Sequence, residues 1–266
     1  MFAYRVLCPS NACILLSLLF ALSCSNQSTS PDIIHPQVKF NSEKLSHLLT
    51  GAYEQNSQAL LDSFFIAWQQ MLPSFTPQML SSCSDTVNEA YKVFTTYYSP
   101  TNLSRLSGGS HENFETDFRY IVIQNDLHIS LVDTNPQFHY YDGVKHYDVH
   151  LDDFRPTPEI SGHPFVYLSP QADSIIFHFL FNEDSTSRDD HNNRLEFLRQ
   201  AMQLTHHHWF ADYHKATMPY AFTIIFNNSI NQALVNFRIF YQFGEAYLEK
   251  KNSSWMLINS RLTAIE

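Results

Sequence analysis

Glycine is scarce in this chain, and its scarcity excludes several catalytic loops. Only six of the 266 residues are glycine, at positions 51, 108, 109, 143, 162 and 244. Neither a G-x-G-x-x-G dinucleotide loop nor a phosphate-binding P-loop can be written with that spacing, and no serine stands in a G-x-S-x-G elbow. Residues 111–115 begin like a zinc-protease helix but lack the second histidine that such a helix requires. The sequence therefore predicts no cofactor.

Basic residues and cysteines are also few. Lys and Arg number 16 against 26 Asp and Glu, which gives a formal net charge of −10. Because phosphate backbones repel an acidic chain, no nucleic-acid partner is predicted. The four cysteines, Cys8, Cys13, Cys24 and Cys83, form no C-x-x-C pair of the kind that binds zinc.

The N-terminal segment has the parts of a secretory signal: Arg5, an apolar run over residues 12–22 and a small residue before Cys24. The run is shorter than the about 20 apolar residues that a membrane span needs. A cysteine directly after the cleavage point resembles the lipobox of bacterial lipoproteins, in which the thiol is lipidated. Cleavage after Ser23 and lipidation of Cys24 are therefore predicted. The alternative is an ordinary secretory signal, which would leave Cys24 free to pair with Cys83.

These observations predict three segments. Residues 1–23 are a lipoprotein signal peptide, residues 24–40 are a flexible tether rich in polar residues and proline, and residues 41–266 form a single α+β domain. The predicted location is outside the cytoplasm, at the outer membrane or cell surface rather than the inner membrane. The lipid anchor is the predicted membrane contact.

Helix-spaced apolar residues and capping residues predict four helices. They begin near Ser57, Ser84, Ser169 and Asn193, and Pro73 ends the first. Pro170, at the first position of the third helix, supports that start because proline is tolerated there.

Alternating apolar residues predict the strands. They cover residues 119–124, 127–132, 139–141, 145–151, 221–226, 233–242, 245–250 and 255–258. Turns are predicted at 125–126, 141–144, 243–244 and 252–253. With a two-residue loop at 243–244, Arg238 would face Glu249 in a cross-strand ion pair that sets the register.

The order of elements predicts the fold class. Two helices are followed by strands, by one or two helices, and then by three or four antiparallel strands. This order is typical of an α+β fold in which helices pack on one face of a curved antiparallel sheet.

Several short motifs resemble an uncharacterised family of Bacteroidetes cell-surface lipoproteins. They are Asp153-Phe154-Arg155-Pro156, Val166-Tyr167-Leu168-Ser169, His208-Trp209, the run over residues 236–246 and the ending over residues 260–266. The C-terminal run also resembles the closing strands of cone-shaped proteins of the nuclear transport factor 2-like superfamily. The resemblance implies a surface location and a nuclear transport factor 2-like C-terminal half, and it implies no activity.

Four ligand-type residues alternate along the strand predicted at 145–151 and just beyond it. His146, Asp148, His150 and Asp152 would share one face of that strand. Imidazoles and carboxylates are zinc ligands, so His146, Asp148 and His150 are candidate metal ligands. Side chains two residues apart on a strand are about 6.6 Å apart, so a shared ion would need further partners. The alternative, which this spacing favours, is a solvated strand face.

A second cluster, residues 206–214, combines histidines with aromatic residues. If the segment is helical, His208 and Asp212 lie at i, i+4. Three interpretations are open: a metal centre, a carbohydrate platform in which Trp209 and Tyr213 stack on a sugar ring, or a loop that plugs the end of the sheet. The candidate ligand-binding residues are His208, Trp209, Asp212, Tyr213, His214 and Arg238.

Two functional hypotheses follow. The first is an exported, lipid-anchored cell-envelope protein that acts as a non-catalytic binding or accessory module, with a glycan or another envelope protein as partner. Its basis is the leader, the 22 Phe and 14 Tyr residues and the lack of a complete catalytic set. The second is a metal-dependent hydrolase that activates water on an ion held by the histidines and aspartates.

Overall fold

A computed structural model gives the fold and describes residues 40–108, 118–133, 135–136, 145–181, 188–207 and 212–266, with side chains for all of these except Lys145 and His146. The predicted signal peptide, Cys24, the tether up to residue 39, and the predicted strand and turn over residues 139–144 lie outside these ranges and stay predictions. In the described ranges, no helix has both the length and the apolar character needed to cross a membrane.

The described residues form seven helices. They are α1 (Ser42–Glu54), α2 (Gln58–Met71), α3 (Pro77–Leu80), α4 (Asp85–Tyr97), α5 (Ser104–Ser107), α6 (Pro170–Leu180) and α7 (Arg188–Arg199). Ser57, Ser84 and Ser169 each accept a hydrogen bond from the backbone N–H three residues further on. The predicted starts of α2, α4 and α6 are therefore confirmed, whereas α7 begins five residues earlier than its predicted start at Asn193.

Helix α1 is absent from the sequence-based prediction. Asn41 caps it by accepting a hydrogen bond from the Lys44 N–H, and Leu45 and Leu49 are fully buried. Its apolar stripe is short, and Gly51 weakens the local helix signal. Contacts with α2 and α6 stabilise this helix, and local sequence patterns do not report such contacts.

Ten strands are present in the described ranges. They are β1 (Ile121–Gln124), β2 (Leu127–Val132), β3 (Lys145–Leu151), β4 (Phe165–Leu168), β5 (Thr205–His206), β6 (Tyr213–His214), β7 (Tyr220–Asn227), β8 (Gln232–Ile239), β9 (Gln242–Lys251) and β10 (Ser254–Ile265). Six form one sheet in the order β10-β9-β8-β7-β2-β3, while β1 pairs with β4 and β5 pairs with β6. The prediction of an antiparallel arrangement is wrong at two pairs, because β2 runs parallel to β7 and β1 runs parallel to β4.

The predicted hairpin between β1 and β2 is also wrong. Strand β1 pairs with β4 instead. The Asn125 carbonyl accepts a hydrogen bond from the Phe154 N–H at 2.7 Å, and the buried Gln124 side chain donates to the Ala221 carbonyl at 2.7 Å. These bonds to distant residues separate the two strands, and a turn signal at residues 125–126 cannot reveal them.

The predicted turn at residues 243–244 is three residues too late. Ile239 pairs with Gln242, so the loop is formed by residues 240–241, and Gly244 lies inside β9 opposite Phe237. The predicted ion pair is therefore wrong: Arg238 faces Phe243. Gly244 has no side chain, so the Phe237 ring can pack against its backbone; the residue does not form a turn. The turn at residues 252–253 is confirmed, with φ of 50° and 68°.

Two clusters of buried side chains hold these elements together. The first joins α4 and α5 to the six-stranded sheet and includes Phe94, Tyr97 and Phe237. The second joins α1, α2, α6 and α7 to β1 and β4 and includes Trp68, whose Nε1 donates to the carbonyl of Tyr167 at 2.9 Å. Helices pack against strands in both clusters, which confirms the α+β class.

Candidate functional site

Two of the predicted metal ligands on β3, Asp148 and His150, have described side chains, and they contact different partners. Asp148 pairs with Nε2 of His128 on the neighbouring strand β2, and His150 Nε2 lies 3.2 Å from Asp152 Oδ1. The side chain of His146 is outside the described set. Among the described side chains, no three His, Cys, Asp or Glu residues are grouped so that they could hold a metal ion.

The second predicted cluster is only partly described, because His208 and Trp209 lie outside the described ranges. The helical interpretation is wrong at Asp212. Strands β5 and β6 pair with each other on either side of this segment, and the His207 N–H donates to the Asp212 carbonyl at 3.1 Å.

Asp212 and Tyr213 make structural contacts. The Asp212 carboxylate lies 3.1 Å from Lys215 Nζ, and the Tyr213 ring is buried. The Tyr213 hydroxyl is 3.2 Å from Nε2 of His191 on α7. The ring of Tyr213 is therefore largely covered, while its predicted platform partner Trp209 lies outside the described ranges, so the platform stays a prediction.

The structure brings two of the predicted ligand-binding residues, His214 and Arg238, into one cluster at the end of the sheet. His207 stacks on His214 with ring centroids 3.6 Å apart. Arg238 is buried and pairs with the Glu266 carboxylate, and it also donates to the Phe240 carbonyl. His207, His214, Arg238 and Glu266 form what we call the C-terminal cluster. Neither His207 nor Glu266 was among the predicted site residues.

The electrostatics of the C-terminal cluster favour neutral imidazoles. Burial, followed by the effects of Arg238 and His207, lowers the pKa of His214 to about 3. Burial also lowers the pKa of His207, followed by the effect of Arg238. The two rings are tilted by 35° to each other, and no third His, Cys, Asp or Glu side chain among the described residues joins them in a group that could hold a metal ion. The charge of Arg238 is already balanced by Glu266, so the cluster is structural.

We expect His214 to make the protein less stable as the pH falls. In the unfolded chain His214 has its ordinary pKa of 6.5, so it takes up a proton as the pH falls below that value. In the folded protein the pKa of His214 is about 3, so the imidazole stays neutral over the same range. The free energy of unfolding should therefore fall by about 1 kcal/mol between about pH 7 and about pH 5.5 through this group. Urea unfolding of the wild type and His214→Asn across this range measures the difference.

The matched control is His47→Asn, which removes an exposed histidine on α1 and no buried imidazole. Equal slopes for the wild type and His214→Asn would contradict the burial of a neutral imidazole at this position.

A groove beside α4 is the more promising site, and none of the sequence-based predictions included it. It has a volume of about 790 Å³, within the range of roughly 300–1,000 Å³ typical of ligand pockets. It lies between α3 and α4 on one side and the beginning of β10 on the other. We call it the α4 groove. Its lining includes Phe75, Asp85, Asn88, Glu89, Thr157 and Trp255.

Glu89 is a buried carboxylate at the base of the α4 groove. Its Oε1 lies 2.8 Å from Lys92 Nζ, and its Oε2 lies 2.9 Å from Lys250 Nζ and accepts a 2.7 Å hydrogen bond from Trp255 Nε1. Burial alone would raise the pKa of Glu89, but the hydrogen bonds from Lys92, Lys250 and Trp255 outweigh it, and the pKa lies below its usual 4.5. The carboxylate is therefore ionised and fixed at neutral pH.

One signal for the groove was present in the sequence. Asp85, Asn88, Glu89 and Lys92 stand at i, i+3, i+4 and i+7, which places four polar side chains on one face of α4. The partners of Glu89 on β9 and β10 could not be inferred, because they lie far away along the chain.

No protein-family model, curated protein or solved structure matches this chain. The function is therefore inferred from the chain's own residues.

Proposed function

We propose that this protein is an exported, lipid-anchored component of the cell envelope, at the outer membrane or cell surface, that binds a glycan or an envelope protein without catalysing a reaction. The α4 groove is the observation that carries the binding role. It combines apolar and polar lining residues with a carboxylate fixed by three hydrogen bonds, which is the composition expected of a ligand pocket. The leader and Cys24 support the location.

We further infer a nuclear transport factor 2-like arrangement in the C-terminal half and membership of the Bacteroidetes lipoprotein family. The four antiparallel strands β7 to β10, with α4 and α5 packed against them, support the fold. The parallel pairing of β2 with β7 is a departure from an all-antiparallel sheet. The family proposal depends on the short motifs quoted above.

The anchor is tested by the intact mass of the mature protein extracted from its native membrane. We expect the loss of residues 1–23 and an added acyl mass on Cys24. Cys24→Ser should lose the acyl mass and leave the membrane fraction, while the control Cys83→Ser should stay in it. A native protein that retains Met1 would contradict the proposal.

The alternative, a metal-dependent hydrolase, is not favoured by any described contact. Asp148 pairs with His128 and His150 lies beside Asp152, whereas His214 stacks on His207. These residues therefore give no convergent set of ligands from which a metal-bound water could be derived.

A further inference from the structure

The helix side of the α4 groove offers hydrogen-bond acceptors beside the Lys92 ammonium. The hydroxyl groups of Ser81, Thr95 and Thr96 each donate their single proton to a backbone carbonyl three or four residues earlier, at 2.7, 2.9 and 2.9 Å. Asn88 Nδ2 donates to the carbonyl five residues earlier at 3.3 Å, and its Oδ1 can accept. The Asp85 carboxylate is exposed and can only accept. A ligand that supplies donors can therefore bind to Asp85 and to Asn88 Oδ1.

The charges around the groove cancel. Glu89 is matched by Lys92 and by Lys250, which leaves one positive charge in excess. Asp85, on the same helix, supplies one negative charge. An anionic ligand would meet the Asp85 carboxylate, and a cationic ligand would meet the two lysines. The balance of charge therefore favours a neutral ligand.

The lining of the α4 groove is mixed in character. The aromatic rings of Phe75, Tyr91 and Trp255 line it and are 5 %, 6 % and 6 % exposed. Thr157 and Ser254, also in the lining, are exposed and carry hydroxyl groups. Apolar atoms and hydroxyl groups therefore both face the groove.

We propose that the α4 groove binds a neutral carbohydrate chain, with sugar hydroxyls donating to the Asp85 carboxylate and to Asn88 Oδ1. A polyhydroxylated ligand is rich in donors and carries no charge, which matches the acceptors on Asp85 and Asn88 and the cancelled charges. This inference rests on the proposed binding function and names its ligand class.

The test is calorimetric titration of the full chain, purified from its membrane in detergent. The probes are neutral hexasaccharides of glucose, mannose and galactose, an oligogalacturonate as an acidic chain, and spermidine as a cation. We expect one of the neutral chains to bind and Asp85→Asn to weaken it by about tenfold or more, because the hydrogen bonds to a charged acceptor are lost. Asp189→Asn, at an exposed aspartate in the first turn of α7, is the matched control and should bind normally.

Each outcome of the titrations either supports or overturns the proposal. Tighter binding of oligogalacturonate or spermidine than of every neutral chain, still dependent on Asp85, overturns the ligand class and leaves the groove as a binding site. Neutral-chain binding that Asp85→Asn does not change overturns the placement in this groove. If no probe binds in a manner dependent on Asp85, both the ligand class and the binding role of the groove fail, while the mass measurement tests the anchor independently.

Discussion

Gly244→Ala is expected to destabilise the folded protein by about 2–3 kcal/mol. A Cβ atom at this position would lie 2.7 Å from Cε2 of Phe237 and 2.8 Å from the carbonyl oxygen of Arg261. The Phe237 ring is fully buried in the first core cluster, and the Arg261 carbonyl belongs to the neighbouring strand β10. Neither can move away without disturbing the packing of the sheet, because protein interiors are close-packed.

Gly51→Ala is the matched control for Gly244→Ala. A Cβ at Gly51 would approach only Nε2 of Gln55, at 3.8 Å, which is an ordinary contact. Because Gly51 lies inside α1, alanine should stabilise the protein by about 0.5–1 kcal/mol. Urea unfolding at neutral pH measures both variants. Equal effects of the two substitutions would show that Gly244 does not face Phe237 across the β8–β9 pair.

Glu89→Ala is expected to lower the free energy of unfolding by about 2–4 kcal/mol. The substitution leaves the buried Trp255 indole N–H without its acceptor and removes the carboxylate that pairs with Lys92 and Lys250. Asp85→Ala is the control, because it removes an exposed carboxylate from the same helix and the same groove. It should cost less than about 1 kcal/mol, through the lost interaction with the helix N-terminus.

The effect of Glu89→Ala should also depend on pH. The folded pKa of Glu89 lies below 4.5, its usual value in the unfolded chain. The stabilisation is therefore fully present above about pH 4.5 and is lost as the pH falls through the folded pKa. Urea unfolding of the wild type and the variant should give free energies that converge in acid. A constant difference between them down to the lowest pH at which both fold would contradict the ionised state of Glu89.

The capped starts of α2, α4 and α6 were the most predictable part of the fold, whereas α1, α3 and α5 were not predicted. Ser57, Ser84 and Ser169 cap α2, α4 and α6 through hydrogen bonds that span three residues, so each signal lies within a short window of sequence. The strands were placed almost as well, because alternation is also local. Their partners were less predictable: the bond between Phe154 and Asn125 joins residues far apart in sequence, and no local pattern contains it.

The candidate site was the least predictable part. Residues chosen for their chemistry, His214 and Arg238, proved to be held by His207 and Glu266 in a structural cluster. The α4 groove depends on Glu89 and Trp255, which are 166 residues apart. Residue type alone indicates which chemistry is available, whereas burial and partners decide whether that chemistry is free to act.

Amino-acid order alone was enough for the α+β class, the starts of three helices, the positions of most strands and the turn at residues 252–253, since each depends on interactions between near neighbours. The leader and lipid anchor also follow from local patterns and stay predictions. The parallel β2–β7 pair, the β8–β9 register and the α4 groove became visible only in three dimensions. All three depend on packing between segments that are far apart in sequence. The space that Gly244 leaves for the Phe237 ring fixes the β8–β9 register, and the burial of Glu89 against Lys250 and Trp255 forms the base of the groove. Many other arrangements would satisfy the same local preferences.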